Sequence, residues 1–307
     1  MSEVMRTKVS IITINYNSLG DTVCFLDSLE STLSKTDLDL EVIVVDNNSE
    51  VSPRNKLRDY PWVHLIESDR NLGFAGGNNL GVKHSSGEFL FFVNNDTELS
   101  LDSLEELVCQ YRSNPQYGLL TPLIFNGNGS IQYAGYGNLN PLTGRNKLMV
   151  SVDEDSGIRE TSFPHGAAML ISKENLGRVG LMSENYFLYY EELDWGNRIK
   201  KAALKVGVCL TSTIIHRESA SVGKVSECKM YFMTRNRILY ARKHFTSIQK
   251  FVFLLFFLLV SLPKNVITLL LKRDLKAINT FLAAIHWNLQ NDVNSSRLGY
   301  KFDHLLK

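Results

Sequence analysis

Along the first 125 residues, short apolar runs alternate with segments whose apolar positions recur at helical spacing. Residues 9–14, 41–45, 63–66 and 89–93 are expected to be strands. The last is apolar at every position, the pattern of a strand covered on both faces. Between them, Asp21 is placed to cap a helix with the apolar face Val23, Leu26, Leu29 and Leu33, and a second helix is expected near residues 75–85. This repeat predicts an α/β fold built on a parallel sheet with right-handed crossovers. Residues 126–160, rich in Gly, Asn and charge, have little period and are expected to form loops or a flexible hairpin. Strand character returns at residues 167–171 and 206–215. Residues 191–204 read as a helix with Leu193, Ile199 and Ala203 near one face.

The tail follows different rules. Residues 251–262 are almost entirely apolar, and a second apolar run, 266–271, follows Pro263-Lys264-Asn265. Twelve helical residues reach about 18 Å, short of the ~30 Å hydrocarbon core of a bilayer. If the Pro-Lys-Asn break ends the helix, the tail forms an interfacial or re-entrant pair of helices flanked by Arg242, Lys243, Lys250, Lys272, Arg273 and Lys276. A buried core helix is the alternative. The expected division is therefore a domain over 1–245 and an apolar helical membrane-association region over 246–307.

Charge sharpens that picture. The formal net charge is only +1, yet residues 198–276 hold 16 Lys+Arg against 3 Asp+Glu, while residues 1–197 hold 14 against 27. A basic block on an acidic body suggests a polyanionic partner. The adjoining apolar run favours a membrane surface over nucleic acid, which offers such a surface no comparable burial. Cys24, Cys109, Cys209 and Cys228 form no Cys-x-x-Cys pair and are expected to be reduced, mostly buried thiols of a cytosolic protein. Residues 1–8 carry no apolar run, so no secretory signal is expected.

Candidate chemistry sits at the carboxyl ends of the expected strands, where open α/β sheets bind ligands. Asn94-Asn95-Asp96 ends the apolar strand with an oxygen-bearing cluster able to hold a cation and the phosphates on it. Thr13, Tyr16 and Asn17 follow the first strand and Asp46 the second, positions equally suited to nucleotide contact or to turns. Residues 71–81 form a glycine-rich loop entering a helix, without the spacing of a dinucleotide fingerprint. Glu191, Glu192 and Asp194 crowd the start of a helix, where carboxylates favour the dipole or serve as a general base. His216 ends the late strand and is either structural or a metal ligand.

Taken in order, TINYNS at 13–18, VVDNNS at 44–49, NLGFAGGNN at 71–79, NNDT at 94–97, HGAAML at 165–170, YEELD at 190–194 and HRESAS at 216–221 resemble the family-2 glycosyltransferases. The resemblance spans residues 8–245 and is closest to bacterial rhamnosyltransferase-type members. It implies a GT-A fold, a Rossmann-like, mostly parallel sheet flanked by helices. It also implies that Asp46 contacts the base and that Thr13, Tyr16 and Asn17 line the nucleotide pocket. Asn71 and Asn78 would lie near the sugar-nucleotide, with Asn94 and Asn95 at the same cofactor corner. Asp96, assisted by His216, would ligate Mg2+ or Mn2+, and Glu192 would be the catalytic base with Glu191 beside it. The implied reaction is inverting transfer of a sugar, first of all L-rhamnose from dTDP-L-rhamnose, to a glycan or polyprenyl-linked hydroxyl at the inner face of the cell membrane. A UDP-hexose donor and a homo-oligomer stay open. Asn94 and Glu192 stand where the family has Asp, which keeps a catalytically inactive assembly partner as the rival reading.

Overall fold

The apolar runs lie side by side in the computed structural model, which describes residues 6–30, 33–152, 157–217 and 227–306. Strands β1 (Lys8–Asn15), β2 (Asp39–Asp46), β3 (Val63–Glu67) and β4 (Phe89–Val93) pair in parallel in the order β3-β2-β1-β4. β4 is buried at all five positions because its pleat serves two cores. Phe89, Phe91 and Val93 join Phe25 and Leu26 of helix α1 (Leu19–Glu30) on one side. Leu90 and Phe92 join Ala75 of α3 (Gly73–Lys83), the helix that follows the short α2 (Arg54–Leu57), on the other.

Beyond β4 the expectation of a mostly parallel sheet fails. β9 (Ala168–Ser172) inserts antiparallel between β4 and β6 (Tyr117–Phe125), and β5 (Thr97–Leu99) runs antiparallel to β10 (Lys205–His216). β6 and β10 are parallel, so the sheet is mixed, in the order β3-β2-β1-β4-β9-β6-β10-β5. The reason is topological: β9 reaches its place through the long 126–160 segment rather than a crossover helix, which removes the constraint that makes neighbours parallel. That segment is itself ordered where it is described. β7 (Ile131–Tyr133) pairs with β6, β8 (Ile158–Thr161) pairs with β10, and bridges join Tyr136 to Leu148 and Asn140 to Arg145.

Two helix expectations shift by local geometry. α1 starts at Leu19, so Asp21 lies in its first turn, and its buried face is Thr22, Phe25, Leu26 and Leu29. α4 (Leu101–Ser113) and α5 (Lys173–Val179) cover opposite faces of the sheet. In α6 (Glu191–Lys201) the buried apolar residues are Trp195 and Ile199, while Ala203 lies past the end in a left-handed conformation. All four cysteines are free, but Cys24 and Cys109 are exposed rather than buried.

The tail is not a broken pair. From Ser247 to Leu271 the chain is one 25-residue helix, made of α8 (Ser247–Phe256), a π turn (Phe257–Ser261) and α9 (Leu262–Leu271). Pro263 falls in the first turn of α9, directly after the π turn, where the ladder can adjust to its missing N–H. Nor is it a core helix: its most apolar window is only 11% buried. Phe253 and Phe257 pack on Ala241 of α7 (Glu227–His244) and Phe281 of α10 (Leu275–Gln290). α10 in turn lies along α7, joining Ala284, Leu298 and Phe302 to Tyr231 and Phe232, so the chain after 245 closes back on α7.

Candidate active site

At the end of β4 the chain leaves the sheet through Asn94 and returns as β5, whose Thr97 pairs with His216 of β10. That antiparallel pairing brings Asp96 and His216 together across 120 positions of sequence. Asp96 Oδ1 lies 3.1 Å from His216 Nε2, and Asn94 Nδ2 lies 3.5 Å from the same nitrogen. The other ring nitrogen, Nδ1, is 2.8 Å from Gln132 Oε1 on β7. In the neutral tautomer whose Nδ1–H donates to that carbonyl oxygen, the Nε2 lone pair faces the Asp96 carboxylate. Two acceptors facing each other suit a shared divalent cation. Among the described residues no three His, Cys, Asp or Glu side chains cluster as a metal cage. A cation held by Asp96 and His216 would draw its other ligands from phosphate oxygens and water, as Mg2+ commonly does.

The same cleft, of about 710 Å³, is lined by Asn94, Asp96, His216, Glu191 and Glu192. Its wall includes Tyr136, Phe163 and His165, with Tyr136 stacked on Phe163 at 4.3 Å. Glu191 and Glu192 open α6, and each has one buried carboxylate oxygen with no hydrogen-bond partner among the described residues. Burial pushes the Glu192 carboxyl up to about 7. Burial, then the neighbouring Glu192 charge, raises Glu191 well above the carboxylate range. Asp194, one turn on, is opposite. Burial pushes it up, but the hydrogen bond from His244 and the charges of Lys243 and Arg198 outweigh that and hold it at about 2. His244 Nε2 lies 2.7 Å away and Arg198 Nε 2.8 Å away. Burial, helped by His216, lowers His165 to about 4, so the ring is neutral near pH 7.

An unusual backbone delivers the glutamates. Phe187, Tyr189 and Tyr190 all have positive φ, a conformation that costs about 1 kcal/mol or more for each non-glycine residue. Asn236, fully buried on α7, offsets it by placing Nδ2 2.9, 2.8 and 2.7 Å from the carbonyl oxygens of Tyr186, Leu188 and Tyr189. Gly73 seats against this loop. A Cβ there would lie 2.2 Å from the Phe187 carbonyl oxygen, and Phe74 N donates to that oxygen at 2.7 Å.

A second polar cluster lies at the ends of β1 and β2. Asp46 accepts from Asn15 Nδ2 at 2.7 Å and from Ser49 Oγ at 2.6 Å. Asn17 adopts φ 52° and accepts from Glu50 N at 2.8 Å, Tyr16 is exposed, and Thr13 Oγ1 is buried without a partner. Asn71 Oδ1 caps Gly73 N at 2.9 Å, and Asn78 donates to its own helix at Phe74 O. Asn95 points the other way, donating to Ser18 Oγ and Thr22 Oγ1 at 2.8 Å each.

The cleft thus gathers Asn94, Asp96, Glu191, Glu192 and His216, while Asn17 and Asp46 are tied through Ser49 at the ends of β1 and β2, Asn71 is held by Asn47, and Thr13 and Tyr16 lie near the same end of β1. Asn95 ties the turn after β4 to Ser18 and Thr22, and Asn78 bonds within α3. Residues 218–221, the end of the HRESAS stretch, lie outside the described residues. Gln132, Tyr136 and Asn236 carry no local signal of their roles. Asn47, which joins Asn71, Leu72 and Gly73, sat within a recognised motif.

Comparison with known proteins fits this geometry. The model of glycosyl transferase family 2 matches residues 10–179, more than half the chain. The hexosyltransferase Agl10 of low-salt glycan biosynthesis in Haloferax volcanii is 27% identical over 262 residues, covering 80% of each chain. The dTDP-rhamnosyl transferase RfbF of Shigella flexneri is 26% identical over 255 residues, 78% of this chain and 85% of its own. The mannosyltransferase PcManGT of Pyrobaculum calidifontis, solved with GDP-Man and Mn2+, superposes with a TM-score of 0.56 at 15% identity, over 94% of this chain and 77% of that one. The chain belongs to glycosyl transferase family 2 and is a transferase of GT-A-like fold.

Proposed function

We propose that this family-2 glycosyltransferase moves L-rhamnose from dTDP-L-rhamnose, with inversion, to a hydroxyl of a glycan or polyprenyl-linked acceptor. The observation that carries the chemistry is the pair Glu191–Glu192 sharing one cleft with Asp96 and His216. Glu192, with its carboxyl near 7, is matched to taking a proton from an acceptor hydroxyl at neutral pH. The freed oxygen attacks the anomeric carbon from the face opposite the nucleotide, and the diphosphate leaves with the bonding pair. Asp96 and His216 would hold Mg2+ or Mn2+, which when bound neutralises charge on the departing diphosphate. Thr13, Tyr16, Asn17, Asp46 and Asn71 would receive the nucleotide. Rhamnose as the sugar is supported by RfbF, whose name specifies that donor.

The exposed apolar face of the 247–271 helix supports a site on the cytoplasmic leaflet of the membrane. With α7 and α10 packed along one side, the helix is suited to lie in the interface.

Purified protein tests the reading directly. Transfer from dTDP-L-rhamnose is expected to exceed transfer from UDP-hexoses, to fall roughly 10²–10⁴-fold in Glu192→Gln, and to be lost in Asp96→Ala. Unchanged turnover in both variants would refute the mechanism and favour an inactive assembly partner. A preference for a UDP-hexose would refute only the sugar.

A further inference from the structure

Arg237 of α7 is 6% exposed and lines the cleft. Its guanidinium donates to Ser261 Oγ at 3.0 Å and lies over the Phe257 ring at 5.2 Å, while its buried Nε has no hydrogen-bond partner among the described residues. Among the described residues no carboxylate pairs with it. A charge removed from water and left uncompensated costs several kcal/mol, so such an arginine implies a ligand that supplies the missing anion.

Its surroundings agree. Gly144, at φ 61°, packs the tip of the Asn140–Arg145 turn against the Arg237 stem and the Phe253 ring, and Tyr190 OH donates to Gly144 O at 3.2 Å. Arg145 thereby joins Arg237 on the cleft wall. The apolar tail helix also turns polar groups inward here. Ser261 closes the π turn, is buried, and accepts at its carbonyl from Asn265 Nδ2 at 2.6 Å, and Asn265 lines the cleft. π turns often mark functional sites, and this one places Ser261 opposite Arg237.

We propose that Arg237 and Arg145, backed by Ser261 and Asn265, form an anion site for a phosphate or diphosphate on the acceptor. Guanidinium forks match phosphate oxygens, and the tail helix forms the wall, so a lipid-linked diphosphate reaches this site from the membrane side. The inference rests on the transferase reading for the word acceptor, but the anion site itself does not depend on turnover.

The test is therefore calorimetric binding to the full-length protein in metal-free buffer, with farnesyl diphosphate and inorganic diphosphate as probes. Arg237→Gln and Arg145→Gln are each expected to weaken binding tenfold or more, whereas Asp96→Asn, at the other corner of the cleft, leaves it within twofold. Arg145 is exposed, so that variant stays informative if Arg237→Gln fails to fold. Binding unchanged in Arg145→Gln, or lost equally in Asp96→Asn, would overturn the proposal. Tighter binding of farnesyl than of inorganic diphosphate would assign a lipid-linked acceptor, and equal binding a soluble phosphorylated one. If either arginine variant raised the KM of the donor sugar nucleotide and not of the acceptor, the site would belong to the donor instead.

Discussion

Within one turn of α6 the chain treats its carboxylates in two ways. Asp194 faces α7, whose His244 and Lys243 meet it together with Arg198 of its own helix, and it is held ionised. Glu191 and Glu192 face the cleft with unpartnered oxygens, and burial raises both. The three are near neighbours in sequence, so the difference is made by what each side chain meets. A carboxylate with three cationic or donor partners is a structural tie, while one left unsatisfied at a cavity is poised to exchange a proton.

Substitutions can break that contrast. The largest effect is expected on the cleft side: the Glu192→Gln loss of turnover should come with a melting temperature at or above that of wild type. Asp194→Ala should do the reverse, lowering stability by about 3–5 kcal/mol in denaturant titration, because it strands buried partners. Asn236→Ala should be intermediate, costing about 1–3 kcal/mol for carbonyls left without a donor. It should also lower kcat more than donor KM, since it loosens the loop that aims the glutamates.

The smallest effect is on pH. The folded value of Glu192, about 7, lies above its ordinary 4.5, so stability is lost as pH rises from about 4.5 to about 7. The folded value of Asp194, about 2, lies below its ordinary 3.8, so its contribution is present above about 4 and lost as pH falls toward 2. Melting temperatures should therefore peak between these windows, and Glu192→Gln should make the neutral-side decline shallower. Turnover should instead rise with pH through about 7, as Glu192 becomes a base.

Much of the fold was legible along the chain because strand and helix periods are local. β1 to β4 and α3 lie where the apolar pattern puts them. Asp96 and His216 were also nameable, since one follows the apolar strand closely and the other ends a strand. The antiparallel β9 and β5 were not, because the direction of a strand depends on the route of its connection. The tail misled for a related reason: a proline predicts a break, but the π turn directly before it lets the helix continue without the Pro263 N–H. Gln132 and Asn236 gave no warning, being ordinary residues whose roles arise from partners 84 and about 50 positions away.

The sequence by itself determined the transferase family, the strand ends that carry its chemistry, and the apolar, basic character of the tail, because each is written in contiguous residues. Only the tertiary structure decided that Asp96 meets His216, that Asp194 is a tie while Glu192 faces the cleft, and that Arg237 is buried beside Ser261 with no carboxylate paired to it among the described residues. Those outcomes depend on desolvation and on neighbours brought from distant segments. Burial and partners exist only once the chain has folded.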